Sequence, residues 1–358
     1  MSGKPRDMRR TAFPIALLVF VVLATHALPA SLSFTVSETA GLRRFGYPVT
    51  ASLEAPQGAL RDAAAARLFD DKGKEAAAQF TAMSKWPDGS VRGLDADFTS
   101  SLGPMETAAY RVELASGKAR PGQGGLAVTE TAEMITVASS AIAHKIRRDG
   151  MPLLASIVNG KTEFLTAHGV TPALALGKAE VLKRGPFNVT LRLGPVTLEY
   201  VSSKSWVKIT QRADVPMPLA VDAYFALPEP PMLWDLGVES WLYGYFRKPA
   251  EAVVLQQDAS GWRALTGMLE SLSLYASGKR CEGWGHLADK QRVIAFGMAN
   301  FNAGGEAAFL LGADGHFCAS ALRKELTVYF HAVGQPVQVT AATSPPSMLT
   351  PLMVKTGR

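Results

Sequence analysis

The sequence predicts an all-β protein in which a small N-terminal β domain precedes a much larger two-sheet unit. Three observations carry that prediction. Turn signals recur between short runs of strand-forming residues, as in Asp70-Asp71-Lys72-Gly73 and Pro87-Asp88-Gly89-Ser90. Pro presets φ, Asp caps its own turn and Gly accepts φ > 0, so each reads as a β-hairpin. Apolar and polar residues alternate in Val91-Arg92-Gly93-Leu94-Asp95-Ala96-Asp97-Phe98, the pattern of a half-buried strand. Long helical periodicity is scarce. The chain has 358 residues, 47% of them hydrophobic, which is enough for two cores and too apolar for global disorder.

Residues 1–30 read as a signal peptide. Lys4, Arg6, Arg9 and Arg10 form a basic start, Ala12 to Ala24 is almost wholly apolar, and Thr25-His26-Ala27 and Leu28-Pro29-Ala30 offer small residues for cleavage. The apolar core is shorter than the ~20 residues of a spanning helix. The expectation is export to the periplasm or beyond, with a membrane association only if the segment is retained as an anchor. No Cys follows the apolar core, which argues against a lipoprotein. The net charge is +6, but four of the cations sit in this segment and no long basic run exists, so nucleic acid is not an expected partner. A mildly basic surface suits an acidic polysaccharide.

The small domain is expected over residues 33–115. A polar, Gly- and Pro-bearing linker over residues 116–125 has almost nothing to bury. The strand pattern resumes over residues 126–342, for example in Met134-Ile135-Thr136-Val137 and Val207-Lys208-Ile209-Thr210, and so many strands imply a two-sheet sandwich. Glu251 to Gln257 and Trp262 to Leu272 are the segments that could hold a short helix or turn. The Pro- and Ser-rich tail, residues 343–358, reads as an extended coda across the sandwich.

Cys281 and Cys318 would both be exported, which makes them a candidate disulfide. Two unpaired buried thiols are one alternative. A metal site of Cys281, His286, His316 and Cys318 is another, although Cys-x4-His…His-x-Cys is not a standard zinc spacing. No metal and no cofactor is expected.

The order of several short motifs resembles a known family. In the first domain these are Tyr47-Pro48-Val49-Thr50, Arg67-Leu68-Phe69, Gln79-Phe80, Trp86-Pro87-Asp88-Gly89-Ser90-Val91-Arg92 and Tyr110-Arg111-Val112-Glu113. In the second they are Gly150-Met151-Pro152-Leu153-Leu154, Val181 to Val189, Gly285-His286-Leu287-Ala288-Asp289, Asn300-Phe301 and Leu326-Thr327-Val328-Tyr329-Phe330-His331. Together they look like the exo-rhamnogalacturonan lyases and YetA-like proteins. The resemblance implies a small RIFT-like β-barrel followed by a β-super-sandwich similar to galactose-mutarotase-like proteins, and a pectin-like, acidic polysaccharide as ligand class. Members of that family continue into an α/α toroid, which is absent here, so no catalytic residue carries over. A separately encoded toroid protein is an expected partner if a lyase is to be completed.

The residues themselves offer two binding candidates. In Trp241-Leu242-Tyr243-Gly244-Tyr245-Phe246-Arg247, the residues Trp241, Tyr243 and Tyr245 sit two apart and share one face of a strand. Sugar rings stack on exposed aromatics through their C–H faces, and Arg247 can fork onto a uronate. The competing reading is that this face packs on the opposite sheet. Trp284-Gly285-His286 reads as an exposed loop with glycines for close approach, where His286 acts as base, sugar partner or turn cap. His331 is a further strand histidine. Trp86 and Arg92 form either a packed hairpin or a groove. Among Asp222, Asp235, Glu239, Glu282 and Asp289, spacing singles out no catalytic pair. The leading expectation is an exported carbohydrate-binding protein without a complete lyase site. The alternatives are an active lyase or glycoside-acting enzyme on the sandwich face, with mutarotase-type chemistry if a carboxylate such as Glu282 meets His286 or His331, and a cell-envelope structural protein.

Overall fold

The computed structural model describes residues 30–114, 124–139, 142–227, 232–239, 242–334 and 345–357. The export segment, most of the linker and Trp241 lie outside the described residues. The fold is all-β, built from large antiparallel sheets.

The small unit contains β1 (Ser31–Ser37), β2 (Arg44–Glu54), β3 (Arg67–Asp70), β4 (Glu75–Ala76), β5 (Ala78–Lys85), β6 (Val91–Leu102) and β7 (Thr107–Glu113). The large unit runs through β8 (Leu126–Glu130), β9 (Met134–Ser139), β10 (Ile142–Arg147), β11 (Leu154–Asn159), β12 (Thr162–Glu163), β13 (Leu165–Pro172), β14 (Glu180–Lys183), β15 (Asn188–Leu193), β16 (Val196–Val201), β17 (Trp206–Phe225), β18 (Met232–Val238), β19 (Leu242–Phe246), β20 (Glu251–Asp258), β21 (Gly261–Met268), β22 (Ser271–Gly278), β23 (Cys281–Ala288), β24 (Arg292–Met298), β25 (Ala307–Gly312) and β26 (His316–Gly334). A last strand, β27 (Met353–Thr356), closes the described chain.

In the small unit a five-stranded sheet, β27-β1-β7-β3-β4, faces a three-stranded sheet, β2-β6-β5. Alternate apolar residues such as Val36, Val49, Leu53, Leu94, Phe98 and Val112 fill the space between them. The Trp86 motif is a structural hairpin. Trp86 N–H donates to Ser90 O at 2.8 Å and Gly89 N–H to Trp86 O at 2.9 Å, with Gly89 at φ +82°, a conformation that glycine adopts without a Cβ penalty. Trp86 Nε1 donates to Ala55 O at 2.9 Å, and the Arg92 guanidinium lies 4.7 Å from its ring.

The tail, expected as an extended coda across the sandwich, does lie against its outer face, where Leu349 covers Gly297, but it is not extended throughout. Residues 345–349 form a helical turn, and β27 pairs antiparallel with β1, with Phe34 opposite Thr356. The reason lies in a polar anchor. Buried Arg44 donates to Thr350 O at 2.6 Å, to Thr350 Oγ1 at 2.8 Å and to Glu38 Oε1 at 3.2 Å, so the tail is fixed to the small unit.

Two long strands, β17 and β26, hold the large unit together. They pair with each other along most of their length, with a register break between Arg212 and Met217. On one side of that break they belong to a sheet ordered β14-β15-β16-β17-β26-β24-β23-β18-β19. On the other side they belong to β8-β9-β10-β11-β13-β17-β26-β25-β20-β21-β22. The irregularity lets each strand bend from one layer into the other. The inner faces share one core, including Leu198, Ile209, Phe296, Phe309, Phe317 and Phe330.

The segments that could hold a short helix or turn, Glu251 to Gln257 and Trp262 to Leu272, form instead the hairpin of β20 and β21, with Val254 opposite Leu265; the turn within the second is Leu269-Glu270, before β22. Their apolar residues satisfy a ladder with distant β25, a non-local partner that overrides weak local preference.

The small unit sits on the outer face of the first sheet. Trp206, Ala295 and Tyr329 of that face join the small unit's core. Polar groups lock the seam. Gln79 Oε1 accepts from the N–H groups of Phe187 and Asn188 at 3.0 Å each. Lys183 Nζ lies 2.7 Å from Asp95 Oδ2 and 3.1 Å from Asp97 Oδ2. Among the described residues no helix is long and apolar enough to cross a membrane.

Candidate functional site

Strand register builds a row of side chains across the outer face of the first sheet. Tyr243 is opposite Asp235, Asp235 opposite His286, His286 opposite Ala295, Ala295 opposite His331 and His331 opposite Trp206. Directly opposite residues share a face, so all six belong to one surface. Beside it runs a second row, Trp284, Gly297, Tyr329, Lys208 and Glu199.

At one end of the first row, β19 is an edge strand that pairs only with β18 among the described residues. Tyr243 and Tyr245 are 58% and 57% exposed; the two-residue spacing in the sequence predicts their shared face, and the structure turns that face outward rather than onto the opposite sheet. Gly244 between them points inward, where a Cβ would overlap the Trp234 indole. Tyr275, from the edge strand of the second sheet, donates its hydroxyl to Tyr243 O at 3.4 Å and stands edge-on to Trp234 at 5.9 Å. An exposed aromatic shelf results, formed where the edges of the two sheets meet. Arg247 is exposed just beyond β19, and its backbone N–H donates to Glu251 Oε2 at 2.6 Å.

The middle of the row holds an acid–base pair. His286 Nδ1 lies 2.7 Å from Asp235 Oδ1, with both side chains buried. An ionised carboxylate can only accept, so with Asp235 ionised Nδ1 is the donor of this bond. This corrects the expected loop around Trp284-Gly285-His286. The segment lies in β23, and Gly285 is there because a Cβ would overlap Asp235 O and the Phe296 ring. Trp284 stands edge-on to His286 at 5.9 Å and donates Nε1–H to Glu282 Oε2 at 2.7 Å. Its indole covers Gly237, where a Cβ would overlap the ring. Thus the carboxylate that meets His286 is Asp235 rather than Glu282. Burial, reinforced by the charges of Lys204 and His286, pushes the His331 imidazole down to about 4.

At the far end, the seam between the units contains a cleft of about 210 Å³ walled by Tyr47, Trp206 and Tyr329, with Glu199 and Lys208 on its floor. Lys208 Nζ lies 2.9 Å from Glu199 Oε2. Burial opposes ionisation of Glu199, but the Lys208 charge outweighs it and holds the carboxyl below its usual range. The Lys204 ammonium stands 5.5 Å from the Tyr47 ring centre and 5.6 Å from that of Trp206. Burial and nearby Arg44 lower its pKa. Sequence reasoning missed this group, because its residues come from separate motifs; the one local signal is the alternation of Trp206 with Lys208 at the start of β17.

The expected disulfide is not formed. Cys281 points into the sandwich core, its Sγ donating to Gly237 O at 3.2 Å. Cys318 lies between core residues Phe317 and Ala319 and so projects from the opposite, outer side of the second sheet. Both thiols are free. Burial first, then the carboxylates nearby, push both up to about 12, so neither is a thiolate nucleophile. The four residues of the metal alternative do not converge. His316 Nε2 instead meets Asp222 Oδ1 at 3.1 Å on the second sheet's outer face, and no group of three or more His, Cys, Asp or Glu among the described residues is arranged to hold a metal. The other candidate acids have structural partners. Glu239 accepts from the N–H groups of Lys279 and Arg280 at 3.0 and 2.6 Å, and Asp289 from Arg292 N–H at 2.7 Å.

No family model matches this sequence, and no curated protein matches it.

Proposed function

We propose that this chain is an exported carbohydrate-binding protein that takes an acidic, pectin-like polysaccharide on the outer face of its first large sheet. The observation that carries this reading is the exposed pair Tyr243 and Tyr245 on one face of an edge strand, with Tyr275 beside them. Large exposed aromatics held rigidly by strands lose little entropy on binding and suit the C–H faces of sugar rings. The tyrosines stand at the open end of the row, since Ala295 and Trp206 farther along it are covered by the small unit. Affinity electrophoresis through gels of pectic and neutral polysaccharides tests the reading. Selective retardation by the pectic gels, weakened in Tyr243→Ala by roughly three- to tenfold, is the expected result. Equal migration in every gel ends the proposal.

A second reading is favoured by the Asp235–His286 pair. A buried carboxylate that fixes the tautomer of a histidine, and stabilises the imidazolium formed when Nε2 takes a proton, is the arrangement of a general base. On this reading His286 removes a proton from a bound sugar, as polysaccharide β-elimination requires, and Asp235 is its positioning residue.

A further inference from the structure

A strand at the edge of a sheet presents a row of unpaired N–H and C=O groups, and proteins blunt such edges with charges, prolines or a cover. Here β8 carries Glu130, β14 Glu180, β5 Lys85 and β27 Lys355. Two edge strands, β19 and β22, have neither a charge nor a proline, and they lie together. Of these β22 is the longer, eight residues or about 26 Å, and it pairs only with β21 among the described residues. Its Leu274 and Tyr275 are 61% and 53% exposed. Leu274 ends an apolar row that crosses the outer face of the second sheet from Leu310 through Val254 and Leu265. The row thus runs out to an open edge. The flanks of β22 carry opposite charges, Glu270 before it and Lys279 and Arg280 after it. All three are exposed, and none has an ion-pair partner among the described residues.

We propose that β22 is the interface for a second copy of this chain: two β22 strands pair antiparallel about a two-fold axis near Leu274 and extend the second sheet from one copy into the other. Such an interface is isologous, so the strand must complement itself. An uncharged strand does so without like-charge repulsion. Antiparallel pairing also brings each Glu270 to the Lys279-Arg280 end of the other copy, which supplies the counter-charges that both flanks lack. The two Leu274 side chains meet on the outer face, where the apolar rows of the copies become continuous. Tyr275 is the extra residue of a bulge, between Leu274 opposite Leu265 and Ala276 opposite Ala264. The bulge turns its ring toward Trp234 and Tyr243 and so keeps it out of the new seam. The aromatic shelves of the two copies would then flank one seam, but the pairing does not depend on what the shelf binds.

The test is sedimentation velocity of the full chain over a series of micromolar concentrations. The wild type is expected to show a monomer–dimer equilibrium, with amide hydrogen exchange over residues 271–278 that slows as the dimer fills. Leu274→Lys sets two like charges at the two-fold axis and removes apolar contact from both copies. It is expected to weaken the dimer about tenfold or more and to leave the circular dichroism of the fold unchanged, because the residue is exposed. Glu270→Lys is expected to weaken the dimer about threefold, and adding Lys279→Glu to the same chain to restore most of that loss, because the charges are then exchanged rather than removed. A chain that sediments as a monomer throughout overturns the pairing. A dimer that Leu274→Lys leaves intact overturns it too, since that dimer uses another surface. Failure of Lys279→Glu to rescue Glu270→Lys refutes the antiparallel arrangement.

Discussion

Replacing Lys183 by Met isolates the charge that locks the two units. The ammonium lies 2.7 Å from Asp95 and 3.1 Å from Asp97, with only 7% of the lysine side chain exposed and 2% and 11% of the Asp97 and Asp95 side chains. Removing one member of a buried ion pair while its partner stays charged costs roughly 3–5 kcal/mol. Here the stranded carboxylates keep other donors. Thr50 Oγ1 donates to Asp97 at 2.6 Å, Asn188 Nδ2 to Asp97 at 3.0 Å and Ser52 Oγ to Asp95 at 2.7 Å, and methionine keeps most of the apolar stem. The lower end, about 3 kcal/mol near neutral pH, is therefore expected. The pH dependence follows from the signs. Lys183 is raised above its ordinary 10.5 because Asp97 and Asp95 outweigh its burial. The lysine's own titration therefore takes nothing from its contribution at any pH below 10.5, and removes it only as pH rises through the raised value. Burial holds Asp97 above its ordinary 3.8, with Lys183 opposing and Asp95 adding to the rise. Without the lysine Asp97 rises further, so acid relieves the variant. Urea unfolding followed by tryptophan fluorescence measures the difference. The deficit of Lys183→Met should shrink from about pH 8 to about pH 4. The same curves should tend to split into two transitions as the units uncouple. A deficit below about 1 kcal/mol, or one that does not change with pH, refutes the argument that Lys183 compensates two buried carboxylates.

Three further outcomes are expected. Burial works against the Glu38 carboxylate, but the N–H groups of Met105, Ala40 and Leu42 and the Arg44 guanidinium outweigh it and hold it at about 2 rather than 4.5. Its folded pKa is lowered, so its stabilisation is present above 4.5 and lost as pH falls toward 2. The urea midpoint of the wild type should therefore drop more steeply over that window than that of Glu38→Gln. Both thiols should be unreactive to an aromatic disulfide reagent at Cys281 and slow at Cys318 until the chain unfolds, and a reductant should leave the urea midpoint unchanged; one thiol pair missing after denaturation without reductant contradicts the free-thiol geometry. His286→Ala should abolish formation of unsaturated products from pectic polymer while Tyr243-dependent retardation in gels persists, if the second reading holds; retained product formation removes His286 as the base.

What the sequence made legible was local. The Trp86-Pro87-Asp88-Gly89 hairpin is specified by residues that touch one another within a single turn, and the shared face of Tyr243 and Tyr245 follows from a period of two on one strand, although the period does not say whether that face meets water or the opposite sheet. The hairpin of β20 and β21 was not legible, since the short apolar run Ala252-Val253-Val254-Leu255 has no periodicity that separates helix from strand, and the decision is made by β25, far along the chain. The glycines around Trp284 mislead for a related reason. Glycine marks both an exposed turn and a strand where another group needs room, and only the structure shows that Asp235 O and the Phe296 ring take the room at Gly285.

The site exposes the deeper limit. Asp235 and His286 are meaningful only as a pair, and no spacing announces that β18 and β23 will lie side by side. The docked seam is harder still. Lys183 meets Asp95 and Asp97 across it, and Gln79 accepts from the N–H groups of Phe187 and Asn188. A lone lysine in a sequence is unremarkable, since most lysines reach water. Lys183 becomes informative only when two carboxylates from the other unit enclose it, and no local pattern pairs segments so far apart. In the small unit and the sandwich taken separately these would be ordinary polar groups facing water; docking of the units creates both their burial and their pairing, so the lock exists only in the docked arrangement.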